Sequence, residues 1–373
     1  MKKIFTCIIF AAVICVKAEA QNNQNSSGGF SSLFNSGPGD ATKLAQAYLE
    51  PFFKGFGNSL SSGWTNTAKT KKFLHFDLRI SASGTQIPTA DQSFDYAKLG
   101  LQSVGPQSAG QSTLTPTFGG NSNTTGAPVS IYSTDGNHTK LASFNLPSGV
   151  YNIVPAPQIQ LTVGLIHNTD VTLRYMPTLN SSSFGGNNNN NNFSIDMIGF
   201  GIKHDIIQDF GTAKHLMPFD LAIAFGYTRL TYSYGLTVTP QSGGPLNQTA
   251  KPKDASQSTD FSNQVLSGKF SNINIQAIIS KKLLFFTPFA AVGYNSCSTS
   301  IGTYGNYPIT TGVDAAQNPV YTTYNNPVVI NETSLSGLHA DVGFQLNLLI
   351  LNIYGSYTAA SYNSFNAGIG LGF

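Results

Sequence analysis

Six ionisable side chains stand at alternate positions of three short runs. They are His75, Asp77 and Arg79 in "FLHFDLRIS", Arg174 in "VTLRYMP", and His339 and Asp341 in "GLHADVGF". Asp170 lies just ahead of the second run. If the three runs share one interior, three chemistries are open. Two histidines and two aspartates are a donor set for a divalent metal. An aspartate–histidine arrangement can assist hydrolysis. A mixed set of Asp, Arg and His can also hold a dry interior together as a structural network. The structural network is the expectation, so no catalytic residue, metal ligand or cofactor is assigned. Serine is too abundant for a Ser–His pair to be singled out.

The elements that must position these residues are strands. Leu74, Phe76, Leu78 and Ile80 alternate with His75, Asp77, Arg79 and Ser81. Ile159, Leu161, Val163 and Leu165 alternate with Gln158, Gln160, Thr162 and Gly164. The same period of two recurs in "SNINIQAIIS", "GLHADVGFQLN" and the closing "FNAGIGLGF". That period places one apolar and one polar face on each strand. About ten strands are legible (8–12), most long enough to cross a bilayer at a tilt.

Periodicity alone does not separate a secreted β-sandwich from a barrel in lipid, whose apolar face looks outward. The connections do. Long ones (roughly 84–154, 177–192, 240–264 and 306–331) alternate with short turns at Asn168-Thr169, Lys281-Lys282 and Asn347-Leu348. Outer-membrane barrels alternate in this way, with long outer loops and short periplasmic turns. The expected fold is therefore all-β, an antiparallel up-and-down barrel over residues 73–373. An even strand count puts both termini on the periplasmic side. The last strand should pair with the first and close the sheet. Its Phe365, Ile369, Leu371 and Phe373 would face lipid and serve the barrel insertion machinery as an assembly signal. The runs "GGNNNNNN" and "SQSTDFSNQ" are expected as solvated outer loops, open to surface binding.

Composition agrees. Only 10% of the 373 residues are charged, 12% are aromatic and 37 are glycine. Residues 1–20 read as a secretory signal peptide, with Lys2 and Lys3 ahead of an apolar run and Ala18-Glu19-Ala20 at the cleavage site. The run is short for a spanning anchor. Cleavage leaves Cys297 as the one cysteine, so no internal disulfide. It also leaves 17 basic against 16 acidic residues, a balance that gives no reason to expect nucleic acid.

Residues 21–39 read as a flexible leader and residues 40–63 as a helix. Asp40 is the expected N-cap, and Leu44, Tyr48, Phe52 and Phe56 recur every four residues on one face. Pro51 should kink or split the helix after Glu50. An aromatic helix of this length has to be covered. It can plug the lumen, cap the periplasmic mouth or lie on the inner leaflet; the lumen is the expectation. "GIKHDIIQDFGTAKHLMP" is the longest short-side connection, with Lys203, His204, Asp205 and Asp209 as an interfacial turn or partner site.

Four blocks carry a resemblance. They are "AYLEPFFKGFGNSLSSGWTNTAKTKKFLHFDLRI", "LPSGVYNIVPAPQIQLTVGLIHNTDVTLRYMP", "IGFGIKHDIIQDF" and "LMPFDLAIAFGYTRL". From about Asp40 to Phe373 the chain resembles a bacterial outer-membrane barrel family known only as domain of unknown function 6588. The resemblance implies a barrel in the outer membrane of a Gram-negative bacterium and no catalytic residues. The functional expectation is passage of a small, apolar solute. A barrel that binds surface partners through its loops is the alternative, and a barrel hydrolase the third. Outer-membrane lipid is the expected surround.

Overall fold

Alternation at a period of two becomes ten barrel strands in the computed structural model, which describes residues 30–133, 138–180, 193–243 and 247–372. The expected signal peptide, the Gly- and Asn-rich run 185–192 and Phe373 lie outside the described residues. The strands are β1 Phe76–Gln86, β2 Ile153–Gly164, β3 Thr169–Asn180, β4 Phe193–Asp205 and β5 Asp220–Gly235. They continue as β6 Val265–Ser280, β7 Phe286–Tyr304, β8 Val329–Leu348, β9 Leu351–Ala359 and β10 Ser364–Gly372. Each pairs antiparallel with its neighbours in sequence, and β1 pairs with β10. Closure removes the edges that would leave backbone groups unpaired in lipid. Leu78 faces Leu371 and Ile80 faces Ile369 across the seam, as the alternating ends require.

The apolar face points outward. Leu78, Leu173, Phe200, Ile275, Val342, Phe365 and Ile369 are exposed, whereas Asp77, Arg79, Gln160, Arg174 and Asn272 are buried inside. This is the inside-out pattern of a barrel set in hydrocarbon. The apolar band reaches the tips of the short turns, where Leu284 and Leu349 are 87% and 101% exposed.

The long connections do more than stay solvated. Val104–Pro106, Pro128–Tyr132 and Lys140–Asn145 form one small sheet, and Lys251–Pro252, Asn306–Val313 and Pro319–Asn325 another. Together they make a head over the loop end of the barrel, with Ile87, Val129, Phe144, Tyr307 and Ile309 in its core. No strand-length alternation marked these segments, because their strands are short and their partners distant in sequence. In the stretch 256–264 the residues stay largely exposed, as their composition implied, except Gln264, which is buried and bonded to Val238 O and Asn306 O.

Ahead of β1 lies one α-helix, α1 Pro38–Ser61. It starts two residues earlier than expected, with Pro38 in its first turn and Gly37 at the N-cap, and the Asp40 side chain does not cap it. It continues through Pro51 as one element, so the proline does not end it. The second half of the expected leader is ordered too. Phe30–Ser36 is a 3-10 helix whose Leu33 and Phe34 are fully buried, because the head and α1 offer them an apolar surface.

The start of α1 and the start of β1 lie at opposite ends of the barrel. β1 begins at the turn end, but α1 begins at the loop end, against residues 102–104. Residues 38–73 run down through the barrel before β1 turns back up its wall.

Candidate functional site

The lumen is the only interior the barrel owns, and the chain's own segment occupies it. The stripe predicted for α1 is real: Leu44, Tyr48 and Phe56 are buried, and Phe52 is half-buried. Its targets divide between head and wall. Tyr48 and Phe52 meet Phe118 of the head, with ring centroids 6.2 and 4.6 Å apart. Phe56 meets Phe270 of β6 at 4.9 Å. On the wall side, a Cβ at Gly57 would lie 2.8 Å from the Cys297 Cβ, so α1 packs backbone-close against β7.

The lower half of the site follows from a general fact about helices: the last carbonyls have no partner within the helix. Here α1 ends inside the barrel, away from bulk water, and Gly63, at φ 74, turns the chain into an extended run. The wall supplies a donor to each of six consecutive carbonyls. Gln158 Nε2 donates to Ser59 O at 3.0 Å. Arg174 donates to Leu60 O at 2.5 Å and Ser62 O at 3.2 Å. Asn274 donates to Ser61 O at 3.4 Å and Gln160 to Gly63 O at 3.1 Å. Arg79 donates to Trp64 O at 3.0 Å. Two cations at a helix C-terminus also oppose its partial negative charge.

Arg79, Gln160 and Arg174 stand in one register row across β1, β2 and β3. Arg79 also donates to Gln160 Oε1 and stacks over the Tyr354 ring at 5.1 Å. Trp64, the one tryptophan in the chain, lies under Arg174. The ring also presses on Gly201 and Gly226, register partners on β4 and β5, where an added Cβ would come within 2.7 and 2.4 Å of it. Only glycine leaves room for that approach.

Below Trp64 the run meets mostly polar wall groups, with Ala68 buried against Ala222, Ile278, Phe289 and Ala291. Ala68 N donates to Ser280 Oγ at 2.9 Å. Lys203 Nζ donates to Thr67 O and Lys69 O at 3.0 and 2.9 Å and pairs with Asp170 at 3.1 Å. Lys71 N donates to Asp170 Oδ1 at 2.9 Å.

These contacts revise the expected interior network. Arg79 and Arg174 come together, yet neither forms an ion pair with an aspartate; backbone carbonyls of α1 take their place. Asp77 pairs instead with Lys71 at 3.8 Å and accepts from Asn352 at 3.1 Å. His339 and Asp341 are 3.6 Å apart, with Asn274 beside His339. His75 is not in the lumen: the strand begins one residue later, after the turn in which Leu74 has φ 62, and the ring is exposed at the turn end. Nor does Asp77 approach Asp341. The register carries Asp341 through Thr358 and Ser364 to Thr85, near the opposite end of β1. The two-His, two-Asp donor set is therefore not assembled. Among the described residues no group of three or more His, Cys, Asp and Glu is placed to hold a metal.

Lys203 likewise leaves the interfacial cluster expected of it and points into the lumen. His204 and Asp209 do pair there, at 2.7 Å, beside the exposed Phe210. Trp64, Gln160 and Asn274 were not legible as site residues. The available signal was the lone tryptophan placed between the helix and the first strand.

Comparison with known proteins adds family but not activity. Among solved structures, the chain is similar to the attachment invasion locus protein Ail of Yersinia pestis, at 9% identity, covering 80% of this chain and all of that one, with a TM-score of 0.23. It is similar to the translocator domain of the autotransporter NalP of Neisseria meningitidis, at 11% identity, 81% and 89% coverage and a TM-score of 0.28. The toluene transporter TbuX of Ralstonia pickettii gives 7% identity, 82% and 91% coverage and a TM-score of 0.25. Scores this low carry no argument about activity. No curated protein matches the sequence. Family assignment is clear where these are not: the match to the Family of unknown function (DUF6588) runs over residues 1–373, and the chain belongs to that family.

Proposed function

We propose that this is an outer-membrane barrel of a Gram-negative bacterium, exported by its amino-terminal signal and sealed by its own α1 segment, which presents a folded head on the cell surface for interaction with partners. One observation carries the reading. The aromatic stripe of α1 and the apolar interior of the head form a single continuous core, from Phe56 through Tyr48 and Phe118 to Ile131 and Phe144. The stripe is thus the foundation of the head and not the lining of a path. Lipid covers the outward apolar face, and the alternating β10 strand is the feature the insertion machinery would read. His339 and Asp341 take a structural role in the wall, and no catalytic residue is assigned.

Conductance in planar bilayers tests the seal. The refolded protein should be silent, and deletion of residues 38–73 should open a steady pore. Steady conductance by the intact chain would remove the reading.

Passage of a small solute is the second reading. It is favoured by the polar run from Thr65 to Lys72, which the wall holds largely through hydrogen bonds, with Ala68 alone packed in a small apolar cluster. Solute flux through the intact protein in liposomes, with the plug in place, tests it directly.

A further inference from the structure

We propose that the amino-terminal side of α1 lies on the outer surface of the membrane, so that residues 38–73 make an extra crossing inside the lumen and the barrel carries residues 30–40 to the exterior. The inference rests on the outer-membrane reading above and goes beyond it.

The order of contacts along β6 shows the direction of the crossing. Phe53 and Phe56 meet Phe270. Ser61 bonds to Asn272, and its carbonyl takes Asn274. Thr65 bonds to Gln276. Ala68 bonds to Ser280, the last residue of the strand before a turn. Each step forward in the segment is a step from loop end to turn end. β1 gives the same order, with Ser59 at Thr85, Trp64 at Arg79 and Lys71 at Asp77.

The upper end is fixed among the loops. Asp40 accepts from the backbone N–H groups of Gln102, Ser103 and Val104 at 2.7–3.2 Å, and from Ser103 Oγ at 2.8 Å. Lys43 Nζ donates to Gly100 O at 2.6 Å. The 3-10 helix before α1 joins the head as well. Ser103 Oγ, whose proton goes to Asp40, lies 2.9 Å from Ser36 O, and the Phe34 ring lies 5.8 Å from that of Tyr307. A carboxylate that accepts four such bonds is an anchor.

Single-cysteine labelling on intact cells decides the matter, because the native Cys297 is 0% exposed and stays silent to a membrane-impermeant maleimide. Lys43→Cys reports the start of α1, Asn123→Cys the head and Leu284→Cys a short turn. Gly39→Cys is the second reporter for α1, since a Cβ there meets nothing within 4 Å. Heat-modifiable migration on gels verifies that each variant is folded. Labelling of Lys43→Cys, Gly39→Cys and Asn123→Cys on intact cells, with Leu284→Cys reached only after permeabilisation, supports the proposal. Labelling of Asn123→Cys alone, with both α1 reporters protected, overturns the threading while leaving the orientation of the barrel intact. Labelling of Leu284→Cys alone overturns the proposal together with the outer-surface reading of the head.

Discussion

The Arg174 guanidinium carbon sits 3.9 Å from the centroid of the Trp64 ring, wholly buried and, among the described residues, without a carboxylate partner. A buried cation with no anion normally costs several kcal/mol. Here the ring face and two helix-end carbonyls replace the anion, so the charge is usable only while the plug is in place. Wall and plug are thereby coupled, and the coupling can be measured.

Replacing Arg174 by Met keeps the bulk and removes the donors to Leu60 O and Ser62 O. Each buried carbonyl left unpaired costs about 1–3 kcal/mol. The expected result is a lower urea midpoint for loss of Trp64 fluorescence, with the sheet signal of the barrel little changed. An unaltered midpoint would show that these bonds add nothing to plug retention.

The glycines under Trp64 make an opposite test, by crowding. Gly226→Ala puts a methyl group where only 2.4 Å is free, against a ring that cannot retreat past Arg174. Overpacking of this kind costs about 1–3 kcal/mol. Trp64 emission should shift to the red as the ring leaves its slot. Gly302→Ala, whose nearest atom is 3.5 Å away, should leave emission unchanged.

Asp40 ties α1 to the head. Asp40→Ala leaves three backbone donors of residues 102–104 without their acceptor, for a loss on the order of 2–4 kcal/mol confined to the head. Limited proteolysis should then cut near residues 100–106, while the barrel keeps its heat-modifiable migration. Resistance equal to that of the parent protein would place the anchoring elsewhere.

Tyr362, in the link between β9 and β10, donates to Asp91 at 2.5 Å. Burial, followed by that carboxylate, pushes its hydroxyl well above the ordinary tyrosine range. A raised acid keeps its proton in the folded state, so its contribution is complete below about pH 10, the unfolded value. The contribution falls as pH rises above that value. The head should loosen in alkali, seen as faster proteolysis of residues 87–95 above about pH 10. Tyr362→Phe should flatten that pH dependence while weakening the head at neutral pH.

Much of the fold was legible because its determinants are local. A period of two decides which side chains of a strand share a face, so β1, β2, β8 and β10 could be read from residues such as Leu78 against Arg79 or Ile369 against Gly370. Long and short connections then told a barrel from a sandwich, and the four-residue spacing of Leu44, Tyr48, Phe52 and Phe56 marked α1. What the spacing left open is what each buried group touches. Arg79 and Arg174 were expected among aspartates, yet they cap the end of α1, because a helix terminus inside a dry lumen brings orphan carbonyls that no strand pattern announces. His75 looked inward by parity and stands outside, since one left-handed residue, Leu74, breaks the alternation before it. The direction of the plug and the sheets of the head depend on contacts between residues tens to hundreds of positions apart, such as Asp40 with Ser103 and Ser61 with Asn272. Those contacts are set by barrel closure and threading, which act on the whole chain at once, and so only the tertiary structure decided them.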